Sequence, residues 1–303
     1  MFDRSHDARV RAAAFDWLGA RVSELGDVVP RDVLAQGFHY QGRRVPMLGP
    51  QGIFKPAVLE VPISITTSPN GPYDDGLGAD GFLSYKYRGT DPTHRDNRGL
   101  RFAMEEALPL AYFYGLVPGR YLALWPVFIV QDEPKNLTFS VALDDASHAT
   151  LPEDLSWAVA EPGEIRRRYV TTQARRRVHQ RAFRERVLRA YRRQCALCHL
   201  KHSELLDAAH ILPDAEEGEP VVSNGLALCR LHHGAFDRFF VGVRPDYVIQ
   251  VRPDILEEED GPTLKHAIQG LHGQSINVPR RREDRPDPAR LEARYERFLE
   301  RGA

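Results

Sequence analysis

Apolar residues recur at three- and four-residue steps near the start of the chain. Val10, Ala14, Trp17, Leu18, Val22 and Leu25 share one helical face, which predicts an amphipathic helix. From about Gly42 to Asp145 the period drops to two. Val61, Ile63 and Ile65 alternate with Pro62, Ser64 and Thr66, the pattern of a half-buried strand. Leu83, Tyr85 and Tyr87 alternate with Ser84 and Lys86 in the same way. Tyr121 to Val130 is an apolar run broken by Pro126, which predicts a strand with an edge or a bulge at that point. Turn signals at Pro69-Asn-Gly-Pro72, Asp75-Gly76 and Val117-Pro-Gly119 separate these runs, and residues 101–113 are read as a helix packed on the sheet. The first part is therefore expected to be an α+β domain around a curved or barrel-like sheet.

Residues 146–165 are polar and mixed, as at a domain boundary, and a basic stretch follows. The layout is a first domain over 1–160, an arginine-rich linker or helix over 161–185 and a second domain over 186–303 with a helical tail. The tail carries two amphipathic stretches, 263–272 and 288–300, split by Pro279-Arg-Arg-Arg282.

A length of 303 residues suits about two domains. No apolar run approaches the ~20 residues of a membrane span, and the polar start, Met1-Phe-Asp-Arg-Ser-His-Asp7, is unlike a signal peptide. The net charge of −1 hides an asymmetry. Residues 166–193 hold twelve arginines and one acid, Glu185, which points to a polyanionic partner, with Arg175, Arg176 and Arg177 as backbone contacts.

The three cysteines all fall in one module. Cys195 and Cys198 form a C-x-x-C knuckle, and Cys229 and His232 form a C-x-x-H knuckle. Four such ligands suit a closed tetrahedral structural Zn²⁺ site. An odd number of cysteines in metal-type spacing also argues against disulfides and for a reducing, cytoplasmic setting. A four-ligand zinc leaves no open position for chemistry, so the neighbouring polar residues must have another use. His233 and Asp237 are four apart and share one helical face, where they suit a Mg²⁺, Mn²⁺ or other divalent transition-metal ion. His210 ends a strand-like stretch, Leu205-Leu-Asp-Ala-Ala-His-Ile-Leu212, where a histidine opposite the ion can deprotonate water.

Residues 195–240 resemble the HNH nuclease motif in its ββα-metal form. The likeness is carried by Ala209-His210-Ile211, by Asn224 in Ser-Asn-Gly-Leu-Ala-Leu-Cys, and by His232-His-Gly-Ala-Phe-Asp237. It implies that His210 is the general base, that Asn224 tethers the loop that orients it, and that His233 and Asp237 bind the catalytic ion. The family often places Asp or His just before the base, where this chain has Ala209. Asp207 is the candidate substitute, although on a strand it shares a face with Ala209 and not with His210.

The first domain has its own sequence landmarks: Gly49-Pro-Gln-Gly-Ile53, Pro62 to Ser68, Gly71-Pro-Tyr-Asp-Asp-Gly76 and Leu83-Ser-Tyr-Lys-Tyr-Arg-Gly89. These segments resemble the SRA (YDG) domain, a PUA-like fold that flips a modified cytosine into a pocket. The resemblance implies that Tyr73 with Tyr85 or Tyr87 sandwiches the base and that Asp74 or Asp75 accepts from its 4-amino group. Lys86, Arg88, Arg95 and Arg98 would lie near phosphates. The family carries a small hydroxylated residue after its second tyrosine, where this chain has Lys86 or Arg88.

The fold expected is α+β, a PUA/SRA-like curved β-barrel with helices followed by a zinc-stapled ββα-metal domain. The function expected is a modification-dependent DNA endonuclease acting on duplex DNA that carries 5-methyl- or 5-hydroxymethylcytosine. One nuclease centre cuts one strand, so a double-strand break needs two protomers or two binding events, and a homodimer, through the tail helices, is expected as one route. The alternatives are a non-catalytic zinc-stapled DNA-binding protein, or a nuclease whose reader takes another mark such as phosphorothioate.

Overall fold

The computed structural model describes residues 2–68, 82–143, 178–213 and 219–301. The chain divides into two compact units, Met1–Arg181 and Ala182–Ala303. The turn signals at 69–76, the polar stretch 146–165 and the linker arginines up to Arg177 lie outside the described residues. No described helix is long and apolar enough to cross a membrane.

The first unit opens with α1 (Arg4–Leu25), whose N-terminus is capped by Asp3 accepting from the His6 amide at 2.9 Å. Val10, Ala14 and Leu18 are fully buried, and Leu25 is exposed at the fraying end. Asp7 and Arg11 form a buried ion pair one helical turn apart. Arg11 also donates to the carbonyls of Pro62 (3.0 Å) and Pro109 (2.8 Å), so the buried charge is satisfied and α1 is tied to two distant segments.

After α1 come β1 (Val28–Pro30), α2 (Arg31–Gln36) and the small hairpin β2 (Phe38–Tyr40) with β3 (Arg43–Val45). The main sheet is built from β4 (Ile53–Phe54), β5 (Ser64–Thr66), β6 (Leu83–Lys86), β7 (Leu110–Val117), β8 (Arg120–Glu133) and β9 (Thr138–Leu143), in the spatial order β4-β5-β7-β8-β9-β6. The start of β8 pairs with β1 and its later part with β9, so one long strand serves two neighbours along one edge. Register shifts along β7–β8 and β8–β9 curl the sheet into a half-barrel. One shift falls at Pro126: Leu124 faces Tyr112 and Val127 faces Leu110, so the bulge stands where the sequence places it.

The helix expected over 101–113 is displaced. The structure has α3 (Arg95–Glu105), a turn through Ala107 at φ +50°, and then β7. Pro109 has no amide hydrogen to continue a helix. Leu110–Val117 is buried on both faces between β5 and β8, so its unbroken apolar run belongs to a central strand.

The second unit begins within α4 (residues 178–190), which leads into the first knuckle. The hairpin of β10 (Leu206–His210) and β11 (Gly225–Cys229) follows, then α5 (Arg230–Asp237), giving a β-β-α order. β12 (Val241–Val243) and β13 (Ile249–Val251) form a second hairpin, followed by α6 (Pro253–Glu257), α7 (Pro262–Ala267) and α8 (Pro288–Arg301).

The apolar side of α8, one of the tail helices, packs within this unit. Leu291 is fully buried and Phe298 is 2% exposed. A Cβ on Gly242 would lie 2.7 Å from the Phe298 ring, so β12 accepts that ring only because position 242 has no side chain. Phe298→Ala is expected to destabilise this unit by about 3–5 kcal/mol, read from chemical denaturation. An unchanged midpoint would mean that α8 is not part of the cooperative core.

Candidate active site

Four ligand groups of the second unit converge. The side-chain donor atoms of Cys195, Cys198, Cys229 and His232 all lie within 4.8 Å of one another. The first knuckle turns through His199 at φ +61°, with the Cys195 amide donating to the Leu200 carbonyl at 2.9 Å. Cys229 ends β11 and stands at the N-cap of α5, which brings His232 round in the first helical turn. The Nε2 of His232 meets the Ala267 carbonyl at 2.7 Å. A carbonyl can only accept, so Nε2 carries the proton and Nδ1 is turned to the sulfurs, 3.4 Å from Cys195 Sγ and 3.2 Å from Cys229 Sγ.

Hydrogen bonding to Cys195 and Cys198 holds the Cys229 thiol far below its ordinary range. Burial disfavours a charged His232 ring, but hydrogen bonds to Cys195 and Cys229 prevail and push it up to about 10. The donor set, its spacing and its shared protons fit a tetrahedral Zn²⁺, which would displace those protons on binding.

Beside this cluster lie Asp207, His233 and Asp237. The hairpin register sets Asp207 opposite Leu228 and His210 opposite Gly225. On α5, His233 and Asp237 are one turn apart. His233 Nε2 is 3.4 Å from Asp237 Oδ2, and His233 Nδ1 is 3.9 Å from Asp207 Oδ2. The imidazole therefore stands between two carboxylates, one on each ring nitrogen. A cation on one nitrogen can use only the carboxylate on that side, and the other carboxylate orients the ring.

Each carboxylate also has an arginine partner. Arg184 Nε lies 3.4 Å from Asp207 Oδ1, and Arg294 Nη2 lies 3.8 Å from Asp237 Oδ1. Arg184 is itself fixed by Glu185 and by the carbonyls of Ser203 and Leu206.

His210 lies at the end of β10 with its ring stacked on Phe183 of α4, centroids 4.0 Å apart and planes within 10°. Gly225 makes this possible. A Cβ there would lie 2.5 Å from Val187 Cγ2 and 2.9 Å from Phe183 Cζ. Asn224 is fully buried and binds the chain just beyond the histidine in both directions. Its Oδ1 accepts from the Leu212 amide (3.0 Å), and its Nδ2 donates to the carbonyls of Leu212 (2.9 Å) and Glu219 (3.1 Å).

The first unit has a cleft of about 450 Å³. It is lined by Gly49 to Ile53, by Thr66 to Ser68 and by Tyr85 to Gly89, three segments far apart in sequence. Tyr85 and Tyr87 are both buried in its wall. Tyr85 packs edge-on to Tyr112, and its hydroxyl reaches the Thr66 carbonyl at 3.4 Å. Tyr87 has one ring face stacked on Phe139 at 4.5 Å, and its hydroxyl donates to Asp132 and accepts from Arg101.

Lys86 and Arg88 line the same cleft, and Arg88 is held by Gln51 and Asp96. Arg95 and Arg98 sit on the exposed side of α3 and do not line it. Tyr73, Asp74, Asp75, Arg175, Arg176 and Arg177 lie outside the described residues.

Sequence reasoning did not single out Phe183, Gly225, Arg184 or Arg294 individually. Arg184 was hidden in an arginine-rich stretch that reads as a polyanion contact. The available signal for Arg294 was a cation at a core position of an amphipathic helix.

The protein is expected to carry one zinc per chain, measured by elemental analysis. Cys229→Ser should lose the metal, and the second unit should then be cut readily by protease while the first resists. Affinity should fall as pH falls, because protons compete for the thiolates. A metal-free protein with an intact second unit would sink the assignment.

Residues 195–244 match the family model described as HNH endonuclease. That segment holds both knuckles, the β10-β11-α5 unit, His210, Asn224, His233 and Asp237. No curated protein sequence matches the chain. Among solved structures, one similar chain is described as a "Modification dependent TagI restriction endonuclease". It is 18% identical, the likeness spans 78% of this chain and 81% of that one, and the TM-score is 0.32, too low to carry weight. The segment 195–244 is thus an HNH endonuclease domain, and the chain that carries it is a DNA endonuclease, a hydrolase of phosphodiester bonds.

Proposed function

We propose that the protein is a modification-dependent endonuclease. Its first unit would be an SRA-like reader that takes a flipped 5-methyl- or 5-hydroxymethylcytosine from duplex DNA, and its second unit would cut the backbone. The observation that carries the reader is the convergence of Gly49–Ile53, Thr66–Ser68 and Tyr85–Gly89 on one cleft. These are three of the four segments that carry the resemblance, and the fourth, Gly71–Gly76, follows Ser68 in the chain. A cavity of this size is within the range of small-ligand sites.

A flipped base needs a π-face and partners for its Watson–Crick edge. Tyr73 with Tyr85 is the proposed stacking pair, because Tyr87 is already stacked on Phe139. Asp74 or Asp75 would accept from the 4-amino group. Lys86, Arg88, Arg95 and Arg98 would lie along the phosphates, as would Arg175, Arg176 and Arg177, which gives affinity without sequence identity.

In the second unit His210 would take the proton from the attacking water. Stacking on Phe183 limits rotation of its ring, and the Asn224 side chain pins the backbone two residues beyond it. His233, with Asp207 or Asp237, would hold one Mg²⁺ or Mn²⁺. When bound, that ion supplies charge stabilisation for the phosphate and the leaving oxygen. One such centre cuts one strand, so a double-strand break requires two copies at the site.

The test is a cleavage assay with Mg²⁺ or Mn²⁺ on one plasmid prepared unmodified, cytosine-methylated and hydroxymethylated. Cutting is expected only of modified DNA. His210→Ala is expected to lose about 10²–10⁴-fold in rate, the usual worth of a general base, with DNA binding intact. Equal cutting of all three plasmids would remove the cytosine reader and leave the nuclease. Tight binding with no cutting by the wild-type chain would favour a non-catalytic DNA-binding protein.

A further inference from the structure

Arg294 lies on α8, fifty residues beyond the segment that matches the HNH family. Its side chain is nevertheless buried against that segment, at 10% exposure. The guanidinium is shared between two elements. Nη1 donates to the Ile211 carbonyl at 3.2 Å, and Nη2 donates to the Phe236 carbonyl at 2.8 Å. Ile211 follows His210, and Phe236 precedes Asp237. The guanidinium carbon sits 3.9 Å from the centre of the Phe236 ring and 4.8 Å from that of Phe239. Nη2 also approaches Asp237 Oδ1 at 3.8 Å, while the other oxygen of that carboxylate faces His233 at 3.4 Å.

We infer that Arg294 is a positioning residue of the nuclease centre, acting through Asp237 on His233 and through the Ile211 backbone on His210; this rests on the nuclease reading above. A guanidinium taken out of water must recover its lost hydration from its partners, and an apolar residue would fill the same helix–core contact without that demand. Arg294 recovers the cost by bonding the carbonyl just beyond β10 and one in the last turn of α5, each next in sequence to a candidate site residue. A planar fork reaches the two carbonyls from separate nitrogens while lying on the Phe236 ring; the donors of a lysine radiate from one nitrogen and bring no flat face. Drawing Oδ1 of Asp237 toward itself, Arg294 leaves Oδ2 turned to His233, so the orientation of the carboxylate sets that of the ring. A small shift of such a ring is felt strongly in the rate.

The test compares wild type, Arg294→Met and Arg294→Lys in the zinc-loaded full chain. It reads thermal melting, kcat and KM for nicking of plasmid DNA, and Mn²⁺ affinity by titration. Arg294→Met is expected to melt cooperatively, to keep its KM for DNA and to lose about 10–100-fold in kcat and in Mn²⁺ affinity, as is usual for partners one step behind a ligand. Arg294→Lys is expected not to restore either.

A merely structural role would lower the melting temperature and leave kcat of the folded protein and Mn²⁺ affinity at wild-type values, which would overturn the inference. Should Arg294→Met fail to fold, Arg294→Lys decides by the same two readouts, and failure of both to fold would also overturn it. If wild type itself cuts no DNA, the nuclease reading fails separately. Mn²⁺ affinity then decides: weakening in the variants supports positioning, and equal affinity removes it.

Discussion

The relation between the first knuckle and the start of α5 is the constraint on which the second unit depends. A two-stranded hairpin of five-residue strands, such as β10–β11, has little stability of its own. Cys195 and Cys198 lie in the turn that follows α4, and Cys229 and His232 span the junction of β11 with α5. Drawing these four together fixes a helix, a hairpin and a second helix at one point. The Ala267 carbonyl adds the chain before α8 to the same point through His232. The approach of Asp207 to His233 depends on this, because Asp207 comes from the hairpin and His233 from the helix that the cluster anchors.

Around that anchor the unit uses charge in an unusual place. Glu185 is fully buried and is met by Arg184 and Arg193, and Arg294 is almost as deeply buried. Two of these arginines end on the carboxylates that flank His233. Paired, hydrogen-bonded groups of this kind contribute modestly to stability but tolerate few alternative arrangements. The neutral part of the site follows a different rule. Phe183 lies flat against His210 where the missing side chain of Gly225 leaves room for its ring.

The first unit solves a separate problem with a curled sheet. A long β8, bulged at Pro126, lets the sheet bend while α1 covers one side through Val10, Ala14 and Leu18. The bend brings the strand carrying Tyr85 to the segments around Gly49 and Thr66. The contact with the Gly49–Ile53 segment is close enough that a Cβ on Gly52 would lie 2.8 Å from the Tyr85 hydroxyl. The cleft is thus a product of sheet curvature and of one missing side chain.

By itself the sequence determined α1, the strand at Leu83, the bulge at Pro126, the two knuckles and the identity of the polar residues beside them. Each is a local signal: a period of residues, a ring without an amide hydrogen, or a spacing of ligand types. The tertiary structure decided what depends on contacts between distant segments. Leu110–Val117 became a central strand because sheet neighbours bury both its faces. α8 turned its apolar side inward because Gly242 leaves room for Phe298. Asp207 met His233 because α5, which carries the histidine, packs beside the strand that carries the carboxylate. Arg294 reached the site from a helix that reads, in one dimension, as an ordinary amphipathic tail. A buried ion pair or a shared carbonyl leaves no period in the chain, and only folding brings its members together.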